Sequence, residues 1–399
     1  MSLLDKYQTL ASRHGQMLTI GEDALGLCMD KILSPTRALH GNREILLAGT
    51  NNYLGLTLDR DCIEAAKRAL DEFGTGTTGS RIANGTYGLH KQLENDLGAF
   101  LGREHTLIFS TGYQANLGTI AGLAGPRDTI FLDADSHASI YDGCALSGAR
   151  LVRFRHNNAA DLDKRLARAG NGEGGKLVII EGLYSMFGDV APLADFVEVK
   201  ERHGAALLVD EAHSFGVLGE HGRGLAEQEG LEEQVDVIAG TFSKSLGAVG
   251  GFAASNDPMF EMLRIASRPF MFTASPSPAT AASVREALKQ IITRPELMQA
   301  LRENGQRLHA GLEKLGFDLC ADPGPVVAVR LPDEVSTIAM WNRLLQSGVY
   351  VNIALPPGTP NASCLLRCSV SAAHTAGEID RIIASFAEVA GLMKQTGIS

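Results

Sequence analysis

The chain has 399 residues, 45% of them hydrophobic and 21% charged, with a formal net charge of −10. That length exceeds one ordinary core and implies two domains, or a large one with a small companion. The acidic balance argues against a nucleic-acid surface, and the composition is that of a soluble globular enzyme.

No apolar run approaches the roughly 18 residues of a spanning helix. Asp5, Lys6, Arg13 and His14 do not fit a secretory signal, so the chain reads as cytoplasmic. In chain order, an amphipathic helix is predicted near Leu3–Gly15, then irregular chain, then a short strand at Ile45–Gly49. Asn51-Asn52-Tyr53-Leu54-Gly55 follows, and its polar pair, aromatic and glycine suit a tight loop. Asp61–Phe73 is predicted helical, with Ile63, Ala66 and Leu70 on one face. The next stretch, Gly74 to Arg81, matches G-x-G-x-x-G. A dinucleotide fingerprint must follow a strand and open a helix, whereas this one follows a helix, which argues against a dehydrogenase. A flexible glycine loop at a substrate entrance fits better.

Lys91–Leu101 is predicted helical and His105–Phe109 a strand. The small-residue turn Ser110–Asn116 then leads into a helix at Leu117–Leu123, and strand, turn and helix N-terminus together make an anion site. The turn lacks a Gly-Lys-Ser/Thr ending, which disfavours a nucleoside triphosphate. Further strands are predicted at Asp128–Leu132, Arg150–Arg155, Lys176–Glu181, Ala205–Val209, Val235–Ala239 and Gly250–Ala254. Helices at Ala160–Ala169 and Leu193–His203, and a glycine-rich link at Gly170–Gly175, lie between them. The alternation implies an α/β fold with a mainly parallel sheet covered on both faces. Phe270–Ser275 reads as a loop with exposed aromatics. The helical stretch Ala279–Leu315, punctuated by Pro295 and Gly305, leads to a smaller α+β domain. Its predicted strands are Val326–Leu331, Val349–Leu355 and Leu365–Val370, and its helices Ser336–Gln346 and Ala376–Lys394. The division expected is an N-terminal segment over 1–50, a large domain over 51–285 and a C-terminal domain over 286–399. The six cysteines form no C-x-x-C pair and read as reduced and mostly buried, and no metal site is expected.

Ligands of open parallel sheets sit beyond the carboxyl ends of the strands. Two predicted strands deliver Asp210-Glu211-Ala212-His213 and Thr241-Phe242-Ser243-Lys244-Ser245 to that edge. A lysine that can form a Schiff base, an aspartate for a pyridinium nitrogen and a histidine for a ring oxygen suggest pyridoxal phosphate. A salt-bridged aspartate with a surface lysine would leave the same pattern. His137 ends another strand. A lone histidine is more often structural, but Gly112, Asp210 and Lys244 share its edge.

Over nearly its whole length the chain resembles the α-oxoamine synthases. These are pyridoxal-phosphate enzymes of transferase fold type I that condense an amino acid with an acyl thioester. The resemblance is carried by Asn51–Gly55, Thr78–Arg81, Ser110–Asn116, Asp133–Cys144, Glu181–Asp189, Asp210–Ser214, Gly240–Gly247, Phe272–Ser275 and Leu365–Ser369. Ser243-Lys244-Ser245, where many members read Gly-Lys-Ala, points to the members that use L-serine. The reaction implied is a decarboxylative Claisen condensation of L-serine with palmitoyl-CoA to 3-ketodihydrosphingosine, the first step of sphingolipid synthesis. The resemblance implies that Lys244 holds the cofactor, Asp210 pairs with the ring nitrogen, His213 meets the ring oxygen and His137 stacks on the ring. It implies a phosphate cup from Gly112 and Tyr113 with Thr241 and Ser243, completed by Thr273 across a homodimer. It also implies substrate contacts at Asn52, Tyr53, Ser80 and Arg367. One position departs: Leu355 stands where an arginine usually precedes the Pro-Pro pair, and leucine cannot bind an anion. Alanine or glycine as the amino acid, acyl carrier protein as the donor, a transaminase and a silent lipid-binding subunit remain alternatives. A lipid product would also allow peripheral membrane contact.

Overall fold

Seven short apolar runs form one sheet in the computed structural model, which describes residues 2–170 and 174–395. They are β1 (His105–Phe109), β2 (Thr129–Asp133), β3 (Arg150–Phe154), β4 (Lys176–Glu181), β5 (Ala206–Asp210), β6 (Val237–Thr241) and β7 (Gly251–Ser255). Their order across the sheet is β1-β7-β6-β5-β4-β2-β3. Every pairing is parallel except those of β7, which runs antiparallel to both β1 and β6. One face buries Leu107, Phe109, Ile130, Leu132, Ile179, Leu208 and Ala253. The other buries Phe131, Val178, Ile180, Leu207, Val209 and Phe252. Burial on both faces is why these strands read as continuous apolar runs and not as alternating ones.

Four helices of the chain are α1 (Arg60–Phe73), α2 (Gly88–Leu101), α3 (Gly112–Leu123) and α4 (Ala138–Ser147), of which α3 and α4 border the site. Ala115 and Ile120 of α3, and Ile140 and Cys144 of α4, pack into the first face. The sequence places the start of α3 at Leu117, but the helix begins at Gly112. Thr111 caps it, its side-chain oxygen accepting the Gln114 N–H at 3.0 Å. Helix α4 was not anticipated. His137 caps it through Nδ1, which accepts the Ser139 N–H at 3.2 Å.

Contacts divide the chain into two units, one of residues 52–185 with 189–299 and the other of residues 1–51, 186–188 and 300–399. The second unit holds two small sheets. One pairs Arg43–Leu47 in parallel with Val349–Tyr350, and the other pairs Cys364–Ser369 antiparallel with Val326–Leu331 and Asn352–Ala354. The single strand expected over Val349–Leu355 is therefore two, each serving a different sheet. The first helix spans Gln8–Ile20, later than expected, and strands at Lys31–Ser34 and Arg37–His40 precede Arg43–Leu47. Gly305 does not interrupt the helix Glu296–Lys314. Phe270 lies in a helical turn and is 4% exposed, contrary to the expected open loop, while Phe272 is 72% exposed. Residues 171–173 of the glycine-rich link lie outside the described residues, as do Met1 and 396–399. Among the described residues, no helix is long and apolar enough to cross a membrane.

Candidate active site

The ladder of the sheet sets the site. Glu181 at the end of β4 is the register partner of Asp210 at the end of β5, and Asp210 in turn pairs with Ala239 of β6. Two residues further, Thr241 closes β6, and the chain turns through Ser243 and Lys244. A cavity of about 300 Å³ opens above these ends. Its wall includes Gly112, Tyr113, Asn116, His137, Ser139, Glu181, Asp210, His213, Thr241, Ser243 and Lys244.

Asp210 is 3% exposed. Its two oxygens accept from Asn116 Nδ2 at 2.7 Å and from the Ala212 N–H at 2.9 Å. Asn116 also donates to Ser139 Oγ at 2.9 Å, and Ser139 Oγ lies 2.7 Å from His137 Nδ1. A chain of polar contacts thus runs from the acid to the imidazole. Because Nδ1 accepts the Ser139 N–H, the neutral His137 ring carries its proton on Nε2. The residue is exposed to the cavity, yet desolvation by the surrounding protein holds its pKa below the usual range. The Lys244 amine reinforces that shift and Asp210 opposes it. The Tyr113 ring meets His137 edge-on at 6.2 Å, and its hydroxyl donates to Asp142.

His213 is buried, and its Nδ1 lies 2.6 Å from the Tyr53 hydroxyl. Thr241 Oγ1 donates to the Gly250 carbonyl at 3.0 Å and lies 2.9 Å from Ser243 Oγ. Gly112 is required by close approach, since a Cβ there would lie 2.6 Å from Thr241 Oγ1. The first N–H groups of a helix have no partner within it, so α3 presents those of Gly112 and Tyr113 as an anion cradle.

Eight of the residues expected from sequence therefore surround one cavity: Gly112, Tyr113, His137, Asp210, His213, Thr241, Ser243 and Lys244. Tyr53 stands behind His213. Asn52 is engaged with Thr57 at 2.8 Å, and Ser80 bridges by its backbone to Ala274. Thr273 Oγ1 accepts from Gln114 Nε2 at 3.2 Å. Arg367 belongs to the other unit, where it donates to Asn51 at 3.1 Å and Ser369 at 2.7 Å. Leu355, also in that unit, lines an apolar groove with Leu10, Met17, Pro356 and Pro357.

Sequence reasoning assigned no role to Asn116, Ser139 or Glu181. It also passed over His156, whose Nδ1 and Nε2 lie 2.9 Å from Asp133 Oδ1 and 2.7 Å from Asp189 Oδ2. Burial alone would lower the His156 pKa, but its bonds to the two carboxylates raise it to about 10. This imidazolium ties the end of β2 to the turn after β4. The only sequence signal was that Asp133, Glu181 and Asp189 all lie at or just beyond strand ends.

The family model of class I and II aminotransferases matches residues 43–386. The serine palmitoyltransferase of Caulobacter vibrioides (strain NA1000 / CB15N) is 51% identical over 389 residues, covering 98% of this chain and 96% of that one. The 8-amino-7-oxononanoate synthase of Geotalea daltonii (strain DSM 22248 / JCM 15807 / FRC-32) is 36% identical, covering 96% of this chain and 100% of that one. A solved structure of SPT with a PLP internal aldimine superposes with a TM-score of 0.96 at 46% identity, covering 100% of both chains. The chain thus belongs to the class I and II aminotransferase family, in its α-oxoamine synthase branch.

Proposed function

We propose that this protein is a serine palmitoyltransferase that joins L-serine to palmitoyl-CoA, giving 3-ketodihydrosphingosine, carbon dioxide and free coenzyme A. The observation that carries the reading is the convergence of Lys244, Asp210, His213 and His137 on one cavity that also holds the N-terminus of α3. That donor set fits pyridoxal phosphate: an amine for the aldehyde, an acid for the ring nitrogen and a helix N-terminus for the phosphate. When bound, the cofactor supplies an electron sink for the charge left at the amino-acid Cα.

The chain's own residues do the rest. Lys244 Nζ holds the cofactor and then serves as the base for the α proton, which calls for an amine that can be neutral. Asp210, held by hydrogen bonds from Asn116 and the Ala212 N–H, would pair with the ring nitrogen. His213, bonded through Nδ1 to the Tyr53 hydroxyl, would meet the ring oxygen. His137 would cover the ring and offer its Nε2 proton to the serine carboxylate. The carboxylate leaves as carbon dioxide after the new carbon–carbon bond forms and the thiol departs.

The assay is thiol release from palmitoyl-CoA with L-serine, L-alanine or glycine. Serine should be fastest, and Lys244→Ala should abolish both turnover and the visible absorbance of bound cofactor. Alanine or glycine as the fastest substrate would overturn the choice of serine and leave the condensation standing. Leu355, with no charge for a carboxylate, is the observation that favours this second reading.

The assembly we infer is a cytoplasmic homodimer in which Thr273 completes the phosphate cup of the partner. In support, Thr273 does not line its own chain's cavity, and the adjacent Phe272 is 72% exposed.

A further inference from the structure

Two carboxylic acids stand side by side in the floor of the cavity. Glu181 and Asp210 are register partners on neighbouring parallel strands, and each is 3% exposed. Two like charges on adjacent strands in a low-dielectric site oppose each other, which favours the neutral form of one of them. The donors decide where the proton sits. Asp210 accepts from two, Asn116 Nδ2 and the Ala212 N–H, whereas Glu181 accepts from one, the His137 N–H at 2.5 Å. Two donors against one favour the anion on Asp210 and the proton on Glu181.

We propose that Glu181 is the neutral, proton-bearing half of this acid pair, so that the site presents a single anion, Asp210. The protonation state stands on geometry alone; only the nature of the ring it serves rests on the function proposed above. The charged and titratable groups facing Glu181 are Asp210 on β5, Lys244 after β6, Asp133 at the end of β2, the His137 ring and the Tyr184 hydroxyl. Burial, then the charge of Asp210, pushes the Glu181 carboxyl well above its usual 4.5, while the His137 N–H and Lys244 pull the other way. The arrangement has a chemical use. A second anion in the floor would favour the protonated form of Lys244, which cannot take up a proton. A neutral Glu181 holds the His137 backbone in place without that effect.

The test compares holoenzyme with the isosteric variant Glu181→Gln. Infrared spectra at pH 7, with and without ¹³C-carboxyl glutamate, should show a protonated-carboxyl band that shifts with the label and is lost in the variant. Cofactor affinity, measured by equilibrium dialysis, should stay within about twofold, because no charge has been removed. A folded-state proton on Glu181 is released on unfolding above pH 4.5, so the wild type loses stability with rising pH relative to the variant. The Tm of Glu181→Gln should therefore gain on the wild type by roughly 1–2 °C per pH unit between pH 5 and 8. A spectrum with no band lost, a roughly tenfold or greater fall in cofactor affinity, or a variant that does not fold would each overturn the proposal. The infrared and Tm readouts do not use the condensation reaction, so they decide the matter even if thiol release from palmitoyl-CoA fails.

Discussion

His156 sits between two carboxylates that approach from different segments, with the Tyr184 ring edge-on at 4.4 Å. Its side chain is 21% exposed, so the pair of contacts is only lightly screened. Breaking such a contact leaves buried carboxylate charge uncompensated, at a cost of about 2–3 kcal/mol. His156→Asn should therefore lower the Tm at pH 6. The sign with pH follows from the raised pKa of about 10 against an ordinary 6.5. The stabilisation is complete below about 6.5 and is lost as pH rises through 10, so the difference between wild type and variant should close over that range. A difference independent of pH would mean that the ring acts by shape and not by charge. At this scale the sequence was informative where a reactive side chain follows an apolar run, as with Asp210, His213 and Lys244. It was silent on Glu181, Asn116 and His156. Their roles depend on which strands are neighbours and in what register, and no short stretch of sequence records that.

Among the elements, one close packing in the site joins three of them. Gly112 opens α3, Thr241 ends β6 and Gly251 begins β7, and a Cβ on Gly251 would lie 2.6 Å from the Gly112 Cα. Helix, strand and strand can meet so tightly only because two of the three contacts are glycine. Gly112→Ala would force the helix N-terminus and Thr241 apart, an overpacking that costs about 1–3 kcal/mol. We expect that loss to show in the Tm of the cofactor-free protein and cofactor affinity to fall by about tenfold or more as well. Equilibrium dialysis against pyridoxal phosphate checks it, and unchanged affinity would place the phosphate elsewhere. Most elements of the large unit were legible because their strands are apolar throughout and their helices lie between glycines and caps. The reversal of β7 was not, because a buried strand carries the same apolar run in either direction. Helix α4 was missed for another reason: it caps itself with His137, a residue outside the usual capping set.

At the scale of the whole molecule, a dimer with shared sites has a direct test. Lys244→Ala inactivates a chain's own site, and Thr273→Asp would set a negative charge against the partner's phosphate. Neither homodimer should turn over substrate. After unfolding and refolding together, mixed dimers keep one intact site, and activity should return to roughly a quarter of wild type. A fully active monomer in sedimentation would rule the arrangement out.

The pairing of Arg43–Leu47 with Val349–Tyr350 has a consequence for how the protein is made. On the ribosome, at about 5–20 residues per second, the early strand waits roughly 15–60 seconds for its partner. During that wait its edge is exposed and the apolar residues Ile45, Leu46 and Leu47 lack the cover they later have. The large unit, by contrast, is a nearly continuous stretch that can finish folding first. The newborn chain therefore passes through a stage with one completed body and one unsatisfied strand, and that strand is where chaperone capture or misassembly would begin.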